Sequence, residues 1–302
     1  MATKSKGLNN PLVSIIIPTY KRQDKLIRCV KSVFDSTYKN IEAIVINDDP
    51  KSDLKYVLNV LKHKINLVQH KHERYWVKSR NEGARMAKGE LLFFLDDDNI
   101  LNKNAISLLV SRYKKTKNVG LMGPIMYDKF GNLWFYGGKA TWINPNVTPV
   151  SKGKLKKELI ETDAIPNAYM ISKNLYLRIG GEDPNFPTHE EFDLAQRLKG
   201  AGYKNYIYTK AKTIHDIGKI KINLIDKPPY RMYVTVMCNF LIERKYAPSF
   251  KFLIFLIIFV PVHAVLYLLF YIPFKSNNKK AYYKAYFNGF KKGVIKMFGV
   301  KK

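Results

Sequence analysis

The chain has 302 residues, of which 46% are hydrophobic, which suits one large domain with an appended region and excludes a wholly disordered chain. Lysine and arginine total 52 against 24 acidic residues, and the formal charge of +28 favours nucleic acid, an anionic membrane or phosphorylated ligands as partners. Cys29 and Cys238 lie far apart in apolar surroundings, so neither a disulfide framework nor a zinc site is indicated. This cysteine usage favours a reducing, cytosol-facing setting, and because the N-terminal stretch MATKSKGLNNP has no apolar segment of signal-peptide length, export by the usual route is not expected.

Short apolar runs alternate with segments of helical spacing through residues 12–125. Strands are predicted at 12–20, 40–49, 65–70 and 90–99, and helices at 25–37, 54–64, 77–89 and 103–116, the third helix ending at Gly89. This alternation is typical of an α/β fold with a doubly wound, largely parallel sheet flanked by helices. Such a sheet binds its ligands beyond the carboxyl ends of its strands.

The middle of the chain, residues 126–246, is less regular, with glycine, asparagine and proline in several turns. Helical spacing returns in EEFDLAQRLKGAG, residues 190–202, where Gly200 or Gly202 is expected to close the helix. A further amphipathic helix is predicted at 229–246.

A third pattern begins at Phe252, because residues 252–272 contain no charged side chain. A helix of about 20 apolar residues spans the hydrocarbon core of a bilayer. Flanking lysines and aromatic residues suit a membrane interface, and a buried helix of a soluble protein is the alternative. Pro261 and His263 interrupt the segment, so a re-entrant or in-plane arrangement stays open. Since the last 28 residues carry nine lysines and no acid, we expect a surface helix on anionic lipid there.

Three successive carboxylates, Asp96, Asp97 and Asp98, follow the apolar run LLFFL. Alternate residues of a strand face the same side, so we expect Asp96 and Asp98 to converge at the ligand edge of the sheet. Converging carboxylates need a cation, and Mg²⁺ or Mn²⁺ takes oxygen ligands while keeping substrate phosphates in its shell. An acidic N-cap for the helix that starts near Lys103 is the alternative.

Other polar residues end neighbouring strands. Tyr20 can wall a nucleotide base, and Asp48 or Asp49 can accept a hydrogen bond from it. Arg80 can neutralise a phosphate, with Asn81 beside it. Packing, turn formation and a solvated helix charge are the alternatives for these residues singly, but their shared edge favours a common site.

The motifs VSIIIPTYKR, IVINDDP, SRNEGARMAKGELLFFLDDDN, GGEDPNF, EEFDLAQRLKGAGYK and IHD resemble, in order and spacing, a family 2 glycosyltransferase with a GT-A fold over residues 12–216. The later stretches YRMYVTVMCNFLIERKY and GFKKGVIKMFG resemble, more loosely, the tails of rhamnosyltransferase-like members. The resemblance implies a GT-A catalytic domain at 1–225, with a donor half at 12–125 and an acceptor half at 126–225. It also implies a membrane-associating helical region at 226–302.

The resemblance further implies a nucleotide-sugar site and a metal site for Mn²⁺ or Mg²⁺. The metal ligands implied are Asp96, Asp98 and His215, with simple packing as the alternative for the histidine. The residues implied to bind the nucleotide sugar are Pro18, Thr19, Tyr20, Arg22, Asp48, Asp49, Arg80, Asp96 and Asp97, with Arg80 near the diphosphate.

A general base is implied at the start of the helix EEFDLAQRL, because an inverting displacement needs a carboxylate to accept the acceptor's hydroxyl proton. Glu191 stands where the family usually has aspartate, and Glu190 is the alternative base. The helix N-terminus would hold the base ionised. Asp193 is expected to orient the loop or the acceptor.

The resemblance thus implies a hexosyl or deoxyhexosyl transferase that moves a single sugar from a nucleotide-diphosphate sugar to a lipid-linked or glycan acceptor at the cytosolic membrane face. A dolichol- or polyprenyl-phosphate sugar synthase of the same fold is the nearer alternative. A Gln-x-x-Arg-Trp motif, as in processive synthases, is absent. A non-enzymatic nucleic-acid-binding protein or scaffold is the distant alternative; no nucleic-acid partner is expected, because zinc spacing, RNA-binding aromatic motifs and a helix-turn-helix pattern are missing.

Overall fold

A computed structural model of the chain describes residues 10–54, 59, 65–142, 147–217, 229–275 and 278–299. The strands are β1 Val13–Thr19, β2 Ile41–Asn47, β3 Ile65–Gln69, β4 Leu91–Leu95, β5 Asn99–Leu101, β6 Val119–Asp128, β7 Leu133–Phe135, β8 Gly138–Ala140, β9 Val147–Pro149, β10 Leu159–Thr162, β11 Ala168–Ser172 and β12 Lys204–His215. The helices of the first 215 residues are α1 Gln23–Phe34, α2 Tyr75–Met86, α3 Ala105–Lys115, α4 Lys173–Arg178 and α5 Glu190–Gly200, with a 3-10 turn at Lys152–Lys156.

One mixed sheet organises the fold, in the order β10-β12-β6-β11-β4-β1-β2-β3 among the described residues, with β5 beside β12 and β7 beside β6. The half built from β3, β2, β1 and β4 is parallel throughout, with Val13 opposite both Ile41 and Leu91. β11 then runs antiparallel to β4 and β6. The strand order turns back between β1 and β4, which is where an open α/β sheet forms its ligand crevice.

Helices cover both faces of this sheet because the residues of β1 alternate between two cores. Ile15 and Ile17 belong to a cluster with α1 and α3, whereas Ile16 belongs to a cluster with α2 and α5. All three isoleucines are fully buried. Strands buried on both faces read as continuous apolar runs, which is why the sequence indicated them clearly. The predicted α/β class with a GT-A-like arrangement is confirmed.

Two predicted element ends are wrong, and the predicted helix at 54–64 lies largely outside the described residues. Helix α2 ends at Met86, before Gly89. A Cβ on Gly89 would lie 2.5 Å from the Leu12 carbonyl oxygen and 2.6 Å from Ser14 Oγ, so this glycine serves a close backbone approach. The strand predicted at 90–99 is shorter, because β4 stops at Leu95.

Three further helices follow the predicted domain boundary at residue 225, which lies outside the described residues. They are α6 Pro229–Tyr246, the apolar helix α7, and α8 Lys279–Met297. Helix α7 is α-helical at Ser249–Ile254, Val260–Val265 and Ile272–Lys275, with π-helical turns at Phe255–Phe259 and Leu266–Tyr271. Helix α6 packs on both sides: Cys238 and Leu241 join a cluster with Phe186, while Met232 and Phe240 join the core of the C-terminal helices.

Helix α7 buries one face and exposes the other. Phe255 and Ile272 are fully buried against α6 and α8. The opposite face consists of exposed apolar side chains, including Leu253, Ile257, Ile258, Val262, Val265, Leu266, Leu269 and Phe270. Among the described residues, Ser249–Tyr271 is the one helix that is long and apolar enough to cross a membrane, judged by length and composition.

Candidate active site

Polar residues that follow β1, β2 and β4 line one cleft of about 780 Å³ at the carboxyl ends of these strands. The first turn of α5 and the end of β12 close the cleft from the other half of the sheet. The predicted site residues that line it are Pro18, Thr19, Tyr20, Arg22, Asp48, Asp96, Asp98, Glu190, Glu191 and His215. The predicted residues that lie behind its walls are Asp49, Arg80, Asp97 and Asp193.

Asp96 and Asp98 both line the cleft, as expected, but a turn formed by the three successive aspartates brings them there, and not the strand alternation that the sequence suggested. The turn closes through a hydrogen bond of 3.0 Å from the Asn99 amide to the Asp96 carbonyl. Asp97 is fully buried, accepts a hydrogen bond from Thr19 Oγ1 at 2.6 Å and forms an ion pair with Arg22 at 2.8 Å. Burial raises the pKa of Asp97 to about 7 against the opposing charge of Arg22. Asp97 therefore fixes the turn to β1 and has no exposed atoms for a nucleotide.

Asp98 faces the cleft between a guanidinium and an imidazole. Its Oδ2 accepts from Arg22 Nη1 at 2.7 Å, and its Oδ1 lies 3.4 Å from His215 Nε2. Burial opposes ionisation, but His215 and Arg22 together hold the pKa of Asp98 below its ordinary value. β12 places His215 opposite Asn99 in β5, directly after the aspartate turn, so two sequence-distant segments bring this pair together.

Two of the three predicted metal ligands, Asp98 and His215, are placed to hold one hard divalent cation, whereas Asp96 is not. Oδ1 of Asp98 and Nδ1 of His215 are buried without a hydrogen bond, whereas both oxygens of Asp96 are engaged by Arg80 at 2.5 Å and Asn167 at 2.9 Å. Within the described ranges, no group of three or more His, Cys, Asp or Glu side chains is arranged to hold a metal ion. Asp98 with His215 can supply two ligands for Mn²⁺ or Mg²⁺, and such ions take further ligands from water and substrate phosphate.

Arg80 lies behind the cleft, so its predicted contact with the diphosphate is wrong. Its side chain is only 1% exposed. Nη2 pairs with Asp96 at 2.5 Å, and Nη1 lies 3.0 Å from Glu182, 3.4 Å from Glu190 and 3.1 Å from Glu191. Removing a guanidinium from water is unfavourable unless carboxylates compensate it, which these four do. Arg80 therefore organises the acids of the site instead of binding ligand.

Glu190 and Glu191 open helix α5 and differ in environment. Glu190 Oε1 accepts from Trp76 Nε1 at 2.6 Å, and burial together with the charge of Glu191 raises the pKa of Glu190 well above its ordinary value. Glu191 lines the cleft, is 17% exposed and accepts from Arg80 at 3.1 Å. His189, with φ of +69°, precedes them and turns the chain sharply into the helix. Of the pair, Glu191 is the more exposed, 17% against 7%, and lies closer to the Arg80 guanidinium.

Asp193 does not line the cleft, so it does not contact an acceptor directly, which was one of its two predicted roles. Its side chain is fully buried and accepts from Arg197 at 2.7 Å, Lys245 at 2.7 Å and Tyr246 at 2.6 Å. Two of these donors belong to the last turn of α6. Asp193 therefore joins the glutamate-bearing helix α5 to α6, and its role is that of an anchor.

Asp48 also has its oxygens occupied. They accept from the backbone amides of Arg74 at 2.8 Å and Tyr75 at 2.6 Å and from His70 Nδ1 at 2.7 Å. Asp48 thus holds the turn that leads into α2. Tyr75, the first residue of α2, has a φ of +64°. Asp49 is buried and caps its own turn by accepting from the Lys51 amide at 3.1 Å. The predicted reading of the base by these two residues would require the turn to rearrange.

Sequence reasoning missed several residues of the site. Trp76 and Asn167 line the cleft and hold Glu190 and Asp96, respectively. Glu182 is fully buried between Arg80 and the Tyr169 hydroxyl, and burial raises its pKa to about 7. Tyr169 lies in the apolar strand β11, and the sequence of such a strand does not indicate that the tyrosine hydroxyl has a buried carboxylate partner. The motif GGEDPNF did point to this part of the site. Gly181 within it has a φ of +69°, and a Cβ added there would lie 2.3 Å from an Asn81 oxygen.

A solved structure identifies the class of fold. The crystal structure of GalNAc-T7 with UDP, GalNAc and Mn²⁺ matches 70% of this chain and 44% of that chain with a TM-score of 0.59. The sequence identity is 18%, so the likeness shows the fold alone. It is a GT-A-like fold with a carboxyl-edge cleft.

The family follows from the sequence match. Residues 14–180, more than half of the chain, match the family described as "Glycosyl transferase family 2", and the chain belongs to that family. A Campylobacter jejuni GalNAc(5)-diNAcBac-PP-undecaprenol beta-1,3-glucosyltransferase is 30% identical over 41% of this chain and 41% of its own. The Escherichia coli UDP-Glc:alpha-D-GlcNAc-diphosphoundecaprenol beta-1,3-glucosyltransferase WfgD is 29% identical over 38% of this chain and 46% of its own. The chain thus spans less than two thirds of the length of these relatives.

Proposed function

We propose that the protein is an inverting glycosyltransferase that moves one sugar from a nucleoside-diphosphate sugar to a lipid-linked or glycan acceptor. The observation that carries the proposal is the pairing, across one cleft, of the Asp98–His215 site with the ionisable pair Glu190 and Glu191. Family membership supports the transfer of a glycosyl group. The two relatives with diphosphoundecaprenol-linked acceptors in their names support a lipid-linked acceptor here.

The donor half of the cleft supplies a wall and two cations for the nucleotide. Pro18, Thr19 and Tyr20 form the wall at the end of β1. Arg22 and Lys25 line the cleft beside them, both facing Asp98 at 2.7 and 3.8 Å. Positive side chains next to a developing negative charge stabilise the departing diphosphate. Asp98 and His215 would hold a Mn²⁺ or Mg²⁺ ion, which would supply further positive charge for the same group.

The acceptor half of the cleft supplies the base. In an inverting displacement, the acceptor hydroxyl attacks the anomeric carbon as the bond to the diphosphate breaks, and a carboxylate takes the hydroxyl proton. We assign this role to Glu191, because it lines the cleft, is the more exposed of the two glutamates and lies 3.1 Å from the Arg80 guanidinium. Glu190 is less suited, since it is buried, its Oε1 accepts from Trp76, and burial raises its pKa well above the ordinary value.

Asp98→Asn is expected to weaken donor binding in the presence of Mn²⁺ about tenfold or more, because it removes the charged ligand of the metal. Titration of the donor against the variant, with and without Mn²⁺, measures the effect. Asp35→Asn, an exposed residue outside the cleft, should bind as the wild type does. Equal donor affinity of Asp98→Asn and wild type with Mn²⁺ would reject Asp98 as a ligand.

We further propose that α7 and α8 hold the protein on an anionic membrane, with the catalytic domain on the cytoplasmic side. From Phe250 to Phe270 the exposed side chains of α7 are all apolar, and Ile257 is 64% and Leu269 60% exposed. The lysines of α8 suit anionic headgroups. This arrangement brings a soluble donor and a lipid-linked acceptor to one cleft.

The double variant Ile257→Asp/Leu269→Asp should release the protein from anionic vesicles, because a charge in the hydrocarbon region costs about 2.5–3.5 kcal/mol for each residue. Sedimentation with vesicles gives the bound fraction, which we expect to fall more than tenfold. Deletion of 252–302 should have the same effect. Met86→Asp, 47% exposed on α2, is the matched control and should still sediment. Unchanged sedimentation of the double variant would contradict the role of this face.

A donor screen tests the proposed function. Full-length protein with Mn²⁺ or Mg²⁺ is offered UDP-, GDP- and dTDP-sugars, and release of nucleoside diphosphate is scored with and without a membrane-lipid extract. The expected result is release from one donor that needs metal and is stimulated by lipid. Absence of release from every donor, with folded protein and metal, would contradict the proposal.

A further inference from the structure

Helix α6 brings to the cleft a cation that the donor half does not use. Arg231, in the first turn of α6, lines the cleft and is exposed. In the part of the chain that the structure describes, its guanidinium has no ion-pair partner, unlike Arg22 and Lys25, which face Asp98. A cleft cation without a carboxylate partner is suited to an anionic group that arrives with a ligand.

Aromatic side chains connect Arg231 with the carboxylate pair. Tyr230 stacks on Tyr75 with ring centroids 5.8 Å apart and an interplanar angle of 18°. Tyr75 meets the edge of Trp76 at 6.4 Å, and Trp76 donates to Glu190 at 2.6 Å. Tyr75 holds a left-handed φ of +64°, a conformation that non-glycine residues adopt at functional sites. The result is a continuous series of aromatic side chains from α6 to Glu190, the neighbour of the proposed base, and within it Tyr75 and Trp76 line the cleft. Such rings combine an apolar face with a polar end that hydrogen-bonds.

Another side of α6 packs against the C-terminal helices α7 and α8. Met232, the neighbour of Arg231, and Val236 belong to the cluster that holds Ile272 of α7. Helix α7 presents its uncharged outer face next to this cluster. If α7 lies in the bilayer as proposed above, a substrate with its hydrocarbon chain in the same bilayer would place its phosphates near the start of α6, where Met232 packs with α7.

We propose that Arg231 binds the diphosphate of a lipid-linked acceptor and that Tyr75, Trp76 and Tyr230 form the platform for the acceptor sugar. The proposal rests on the proposed glycosyl transfer and narrows its acceptor to a polyprenyl-diphosphate-linked saccharide. The cleft then holds two diphosphates, that of the donor beside Arg22 and Lys25 and that of the acceptor beside Arg231.

The test measures binding of undecaprenyl diphosphate to the full-length protein in detergent micelles. The donor site is first saturated with Mn²⁺ and the nucleoside diphosphate selected in the donor screen. Arg231→Ala should weaken binding of undecaprenyl diphosphate about tenfold, the effect of losing one charge-assisted hydrogen-bonding group, and leave binding of undecaprenol unchanged. Arg244→Ala, on the same helix but outside the cleft, should bind both lipids as the wild type does.

Three outcomes would overturn the proposal. The first is equal binding of undecaprenyl diphosphate by Arg231→Ala and wild type. The second is a parallel loss of undecaprenol binding, which would give Arg231 a role in lipid contact or folding. Inorganic diphosphate, added as competitor, is expected to displace the lipid only at far higher concentration; displacement at equal concentration would point to a site for free diphosphate. The donor screen separates the two proposals. If the wild type releases nucleoside diphosphate but Arg231→Ala binds the lipid normally, the role of Arg231 is wrong and the proposed glycosyl transfer stands.

Discussion

Glu191→Gln is expected to reduce kcat for sugar transfer by about 10²–10⁴-fold, the contribution of a general base, and to leave donor affinity unchanged. The amide keeps the size of the side chain and an oxygen for Arg80, which lies 3.1 Å from Glu191 Oε1, but it cannot take a proton. Donor affinity should persist because the donor contacts lie on β1 and at Asp98. Steady-state transfer kinetics and a donor titration on the same preparation separate the two quantities.

Glu190→Gln is the matched comparison. Burial raises the pKa of Glu190, and its Oε1 accepts from Trp76, a contact that the amide oxygen of glutamine can keep. We expect kcat to fall less than tenfold. Full transfer by Glu191→Gln together with loss in Glu190→Gln would move the base to Glu190. Full transfer by both variants would place the base outside this helix.

Arg80→Met is expected to lower the free energy of unfolding by about 3–5 kcal/mol, because it leaves buried carboxylates without their cation. Asp96, Glu182 and Glu191 all lie within 3.1 Å of its guanidinium nitrogens. Transfer should also fall, since Glu191 and Asp96 lose the group that orients them. Thermal unfolding followed by fluorescence in detergent measures the first effect, and kcat at a temperature where the variant is folded measures the second.

Arg80→Lys refines the test. It keeps the charge, but an ammonium on a flexible stem cannot reproduce the planar fork that meets Asp96 on one nitrogen and three glutamates on the other. We expect most of the stability to return and much of the loss in kcat to remain. Arg85→Ala, exposed at the end of the same helix, should behave as the wild type. Wild-type stability and transfer in Arg80→Met would contradict the organising role of this residue.

The sequence was sufficient for the elements that local pattern controls. β1 was predicted at 12–20 and spans Val13–Thr19, because a β-branched run buried on both faces has few other solutions. Helix α6 was predicted at 229–246 and spans Pro229–Tyr246. The apolar segment predicted at 252–272 is helical, since its composition changes sharply at both ends. These patterns require no knowledge of distant partners.

The sequence was not sufficient where distant residues decide the role of a side chain. Arg80 follows a helical pattern in which a solvent-exposed charge is equally plausible, and its partner Glu191 lies 111 residues away. The aspartate turn depends on Asn167, which holds Asp96 from a different strand connection. Asp193 carried one readable signal, its i,i+4 spacing to Arg197, which favours an ion pair along the helix.

The most direct test of the account is transfer of a labelled sugar, from the donor selected in the screen, to a membrane-lipid extract by the full-length protein with Mn²⁺. The account predicts label in the organic phase with wild-type protein, little with Glu191→Gln and little without metal. Release of nucleoside diphosphate with all label remaining in water, in the presence of the complete lipid extract, would contradict transfer to a lipid-linked acceptor. Label on polyprenyl phosphate itself would instead favour a polyprenyl-phosphate sugar synthase.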